Sequence, residues 1–84
     1  MTTDAAAATD ATLDVQGLSC PLPVLKAAKA LRGMAPGATL LVLATDPPAV
    51  KDFAAFSAET GHELLSSTAE AGVLRFVLRR RSAP

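Results

Sequence analysis

The chain predicts a two-layer α/β sandwich of the α+β kind, ordered β-α-β-α-β-β, with two helices covering one face of a four-stranded mixed sheet. Three observations predict it. Segments of period two alternate with two segments of period near 3.6. The 84 residues suffice for one small domain with a modest core. Two helices are too few to cover both faces of a sheet, so one face stays open.

Residues 1–10 (MTTDAAAATD) show no periodicity and no apolar anchors, and are expected to be a flexible lead-in to a single domain over residues 11–81. From Thr12 to Gln16, Leu13 and Val15 alternate with Asp14 and Gln16, a short half-buried strand that Gly17 ends. From Pro21 to Met34 the period lengthens. Val24, Leu25, Ala28 and Leu31 fall on one helical stripe, and Lys26, Lys29 and Arg32 on the opposite one. Pro21 suits the first helical position, and Pro23 lies in the first turn, where N–H groups lack intrahelical partners. Gly33, Pro36 and Gly37 stop the helix.

Thr39 to Thr45 (TLLVLAT) is a nearly continuous apolar run, as in a central strand buried on both faces. Asp46-Pro47-Pro48 reads as a side-chain cap and a proline start for a second helix, from Pro48 to Thr60, with Val50, Phe53, Ala54 and Ser57 inward and Phe56 adjoining. Gly61 ends it. His62–Ser67 and Val73–Arg80 are strand patterns joined through Thr68–Gly72, a hairpin connection. In the last strand Leu74, Phe76 and Leu78 face one way, and Val73, Arg75, Val77 and Arg79 the other.

Composition narrows the function. Eight basic and eight acidic residues balance, which argues against general nucleic-acid binding, where a positive excess drives affinity. The three phenylalanines fall on core-like stripes and Trp and Tyr are absent, so no platform for stacking bases is expected. Arg79–Arg81 read as a solubilising cluster. No apolar stretch reaches the ~20 residues of a membrane span, and the first residues do not resemble a secretory signal. The single cysteine rules out a disulfide framework, and a reducing, cytoplasmic setting is expected. Nothing in the chain calls for more than a monomer, and no cofactor is expected. One His with one Cys makes no zinc site, and His62 lies too far along the chain to be the expected partner of a catalytic thiol.

That cysteine, Cys20, sits in GLSCPLP (Gly17 to Pro23), between the first strand and the first helix. A helix N-terminus carries roughly half a positive charge and lowers thiol pKa values, so Cys20 is expected to be exposed and activated, with the N–H groups of Leu22 and Val24 open to its sulfur. The helical crossover makes the first two strands parallel, so Cys20 and Asp46 should share one edge of the sheet, where ligands of such units bind. Asp46 is expected there as a helix cap, and a charge on it would oppose the thiolate. Lys26, Lys29 and Arg32 are either a solvated face or a docking surface for an acidic partner.

Cys20-Pro21-Leu22-Pro23 before a basic amphipathic helix resembles the Cys-Pro-x-Pro motif of the TusA family of small sulfur-carrier proteins. The resemblance continues in Pro36-Gly37, in TDPPAVKDFAAF (with Asp46, Pro47, Asp52 and Phe56), in GHELL (Gly61 to Leu65) and in the arginine-bearing last strand. It spans about Leu13 to Arg80. It implies the same βαβαββ fold and a carrier role for Cys20, which would take sulfane sulfur as a persulfide from a cysteine desulfurase or rhodanese-like donor. The sulfur would pass to an acceptor protein in tRNA thiolation, molybdenum-cofactor assembly or sulfur oxidation. The motif match gives Gly17, Pro21, Pro23 and Asp46 supporting places. Many members have a second cysteine where this chain has Ser57. Two other readings stay open: a regulatory or interaction domain of the same fold that does not need Cys20, and a thiol redox switch forming mixed disulfides.

Overall fold

The structure, a computed structural model, describes residues 9–82. Its elements are β1 (Ala11–Asp14), α1 (Leu22–Arg32), β2 (Thr39–Ala44), α2 (Ala49–Thr60), β3 (Glu63–Glu70) and β4 (Val73–Arg79). The strands form one sheet in the order β1-β2-β4-β3. β1 and β2 are parallel, with Leu13 beside Val42; β4 is antiparallel to both β2 and β3. The predicted element order and mixed sheet are therefore observed.

Both helices lie on the same face. Leu40, Val42 and Ala44 of β2 and Phe76 and Leu78 of β4 meet Ala27 and Leu31 of α1 and Ala49, Phe53 and Phe56 of α2 in one core. The Phe53 ring stacks on Phe76, with centroids 4.5 Å apart, and meets Phe56 edge-on. Leu41 and Val77 are partners on the open face and are still buried, so β2 is shielded on both sides as its composition predicts.

The helical stripes differ from expectation. In α1 the buried row is Pro23, Ala27 and Leu31, while Leu25 is 57% exposed. In α2 it is Ala49, Phe53 and Phe56, while Val50 and Ala54 are exposed. In both helices a small alanine replaces a larger apolar residue at the inward position, which lets the backbone lie close to its neighbours. Neither helix has a side-chain cap; Pro21 and Pro48 occupy the cap positions, so both helices start one residue later than predicted.

The lead-in and the terminal arginines also need correction. Residues 1–8 of the predicted lead-in lie outside the described residues, but Asp10 is part of the domain. Its carboxylate accepts the Thr39 N–H at 2.9 Å and its own N–H reaches the Thr39 carbonyl at 3.0 Å. Arg79 pairs with Glu63, Arg80 donates to the Met34 carbonyl at 2.9 Å, and Arg81 donates to the Thr60 carbonyl at 3.0 Å. The arginines tie the last strand to its surroundings and are more than a solubilising tail.

β3 runs three residues further than its pattern suggests, so the hairpin turn is only Ala71-Gly72, with φ of 53° and 82°. Two left-handed residues match the twist of paired strands, as in a type I′ turn, but alanine pays for that conformation through its Cβ. Ala71→Asn is expected to stabilise the domain by about 0.5–1 kcal/mol, since asparagine tolerates the left-handed region. Thermal unfolding should show a midpoint several degrees higher.

Candidate functional site

The parallel β1-α1-β2-α2 half puts both helix starts on one edge of the sheet, and the candidate site is built there. β1 leads into a turn in which the Leu18 N–H reaches the Val15 carbonyl at 3.2 Å, with Gly17 at φ 84°. That geometry favours glycine. The Gly17 N–H donates to Thr45 Oγ1 at 2.8 Å, and the Cys20 N–H donates to Asp46 Oδ2 at 2.7 Å. The β2–α2 connection thus holds the β1–α1 connection at two points, and Cys20 is presented, exposed, between them. The Cys20–Pro21 peptide bond is cis.

Asp46 lies on the predicted edge but does not cap α2 with its side chain. Its carbonyl accepts the Ala49 N–H at 2.9 Å, and its carboxylate is turned to the Cys20 backbone instead. A charged acceptor on a backbone N–H is among the stronger hydrogen bonds. It fixes the main chain that carries the thiol.

Cys20 is not activated as its position suggested; its pKa is raised. The first cause is a hydrogen bond from the thiol to the Asp52 carboxylate, followed by partial desolvation and the negative charges of Asp52 and Asp46. The start of α1 has little with which to oppose them. Of residues 21–24, Pro21 and Pro23 have no N–H, and the Leu22 N–H is already given to the Ser19 carbonyl at 2.9 Å. The charges of two carboxylates, one on the neighbouring connection and one on α2, oppose the thiolate, although no acid lies in residues 21–34.

Asp52 is the residue that reasoning from the chain alone did not assign to the site. The available signal was its place in the first turn of α2, the helix whose start shares the Cys20 edge. An acid there also complements the helix dipole, which gives it a second explanation from sequence.

The basic residues of α1 are all exposed. Lys26 and Lys29 flank a shallow groove with Leu13, Ala30 and Gly33, on the β1 side. Arg32 does not line it. Among the described residues, no group of three or more His, Cys, Asp or Glu side chains is arranged to hold a metal ion.

His62 is at the other end of α2. Its Nδ1 accepts the Arg81 N–H at 3.0 Å and its ring lies against Phe56. Burial, then the charges of Arg81 and Arg80, lower its pKa. Ser57, where a second cysteine stands in many relatives, donates to the His62 carbonyl at 2.6 Å. Both residues secure the exit of α2, away from Cys20.

A family model described as Sulfurtransferase TusA matches residues 11–80. The chain is 49% identical over 71 residues to the sulfur carrier protein TusA of Allochromatium vinosum, covering 84% of this chain and 93% of that protein. It is 44% identical over 73 residues to the sulfur carrier protein TusA of Pseudomonas entomophila, covering 87% of this chain and 91% of the relative. Among solved structures, a SirA-like protein from Desulfitobacterium hafniense matches with a TM-score of 0.73 at 25% identity, over 86% of this chain and 99% of that one. No helix among the described residues is long and apolar enough to cross a membrane.

Proposed function

This chain belongs to the TusA sulfurtransferase family, and from that premise we propose that it is a cytoplasmic sulfur carrier whose Cys20 cycles between thiol and persulfide. The observation that supports the assignment to Cys20 is its presentation: an exposed thiol on a main chain clamped by Asp46, at the edge where both helices start. It is also the chain's only cysteine.

In the loading step the Cys20 thiolate attacks the terminal sulfur of a donor persulfide. A bond forms between that sulfur and Sγ, the donor's S–S bond breaks, and the electron pair stays on the donor thiolate. The exchange follows the rules of thiol–disulfide chemistry, with rate set by thiolate fraction and access. The Asp52 carboxylate favours the protonated thiol at rest, so the thiol proton must leave before attack. A cysteine desulfurase or a rhodanese-like enzyme would supply the sulfur. Each chain carries a complete site, so a monomer suffices.

Incubation with inorganic polysulfide followed by intact mass measurement tests the reading. It expects at least one added sulfur, removed again by a thiol reductant; an unchanged mass sinks it.

The groove holding Lys26 and Lys29 is proposed to steer an acidic donor surface toward Cys20. Reversing both residues to glutamate is expected to slow sulfur transfer from a cysteine desulfurase by about tenfold at low salt and to flatten its salt dependence. Loading from inorganic polysulfide should change far less. Equal rates from the protein donor would reduce the two lysines to a solvated surface.

A further inference from the structure

α1 forms a ridge with Cys20 at its leading end, and the grooves on its two sides differ in charge. The β1 side carries Lys26 and Lys29. On the α2 side, Pro21, Val24, Ala55 and Phe56 make an apolar floor with Asp52 and Glu59 at its rim, around a volume of about 180 Å³. No residue lining this second groove is basic. Asp52 and Glu59 are seven residues apart on one helix, so they stand roughly 10 Å apart along the same face. Among the described residues, neither carboxylate forms an ion pair.

We propose that the α1–α2 groove is the docking site of the sulfur-accepting protein, which inserts a segment presenting an arginine or lysine beside an apolar residue. The proposal rests on the sulfur-carrier reading above. The fit is one of charge and shape. A long basic side chain can lay its aliphatic stem on Val24, Ala55 and Phe56 and bring its cationic head to Asp52 or Glu59. An acidic side chain meets only repulsion there. A carrier must meet two partners in turn, and grooves of opposite charge on either side of the helix that presents the thiol let each partner exclude itself from the other's place.

With the donor placed on the Lys26–Lys29 side, this groove is left to the acceptor, and the chemistry of release is compatible with it. The acceptor's thiolate forms an S–S bond to the terminal persulfide sulfur, which moves with its proton as its bond to Sγ breaks. The electron pair leaves on Sγ, and no oxidant or reductant is consumed. This creates a thiolate next to Asp52. A cation docked against Asp52 offsets that repulsion during the delivery step.

The test uses full-length protein loaded with polysulfide, and as acceptor the peptide acetyl-Cys-Gly-Leu-Arg-Leu-amide or its analogue with Glu in place of Arg. Sulfur transfer to the Arg peptide is expected to be severalfold faster. Glu59→Lys should remove or reverse the preference, whereas Glu70→Lys, the same charge change on the distant hairpin, should keep it. Equal rates for the two peptides, or a preference that survives Glu59→Lys, would overturn the proposal. If the protein does not load at all, the carrier reading fails, and an NMR titration with the Arg peptide decides the groove separately. Saturable shifts at Val24, Ala55 and Phe56 that Glu59→Lys abolishes would retain it as a docking site; their absence would end it.

Discussion

Serine in place of Cys20 is expected to leave the fold intact and to abolish sulfur loading completely. The thiol is exposed and the residue precedes the helix cap, so the exchange removes little packing. Stability should change by no more than about 0.5 kcal/mol, the usual range for an exposed position. Loading, by contrast, has no substitute, because the chain holds no second cysteine. Intact mass after polysulfide treatment should show added sulfur on the wild type and none on Cys20→Ser. Equal gain in both proteins would place the sulfur elsewhere and end the assignment.

The same pair of proteins separates the competing readings. A redox switch would form a mixed disulfide with oxidised glutathione, yet retain no sulfane sulfur after polysulfide. An interaction domain that ignores its thiol would keep its cellular function in Cys20→Ser. A carrier loses that function and the loading together.

Element order and the Cys20 edge are legible in the chain because both rest on local patterns. Period two and period 3.6 are distinct, and prolines mark both helix starts. Which helical row turns inward is less legible. In α1, Leu25 is the better hydrophobe, but Ala27 is the one the core accepts, because a close approach of helix and sheet selects by size. In the hairpin, the Ala71-Gly72 turn was hidden because alanine does not advertise a left-handed conformation. The site shows the same limit. That Asp46 shares the edge with Cys20 follows from topology alone. That its carboxylate binds the Cys20 N–H, and that Asp52 reaches the thiol from the next helix, depends on how two connections and two helices meet. A dipole argument made along α1 could not weigh charges arriving from α2.

Asp52→Asn is expected to lower the Cys20 pKa and to speed its alkylation severalfold at neutral pH. The sign follows from the causes. Asp52 accepts the thiol's hydrogen bond, which favours the protonated form, and its charge repels the thiolate. Asparagine removes the charge and offers the thiol only a weaker, neutral acceptor. Below the thiol's pKa, each unit of decrease raises the thiolate fraction about tenfold, so a rate measured near neutral pH reads the shift directly. Asp46→Asn should act in the same direction but less, since Asp46 contributes only charge to the thiol and ranks last among the causes. Its amide oxygen can still accept the Cys20 N–H, so the main chain should stay in place; Asp46→Ala lacks that acceptor and should loosen it. The check is alkylation rate against pH for the four proteins. A midpoint in Asp52→Asn equal to or above that of the wild type would show that Asp52 does not hold the proton. A midpoint that falls while polysulfide loading slows would give Asp52 a second role, as the group that takes the proton during attack. Lowered pKa with faster loading would instead mean that the resting carboxylate restrains Cys20 until a partner's cation relieves it.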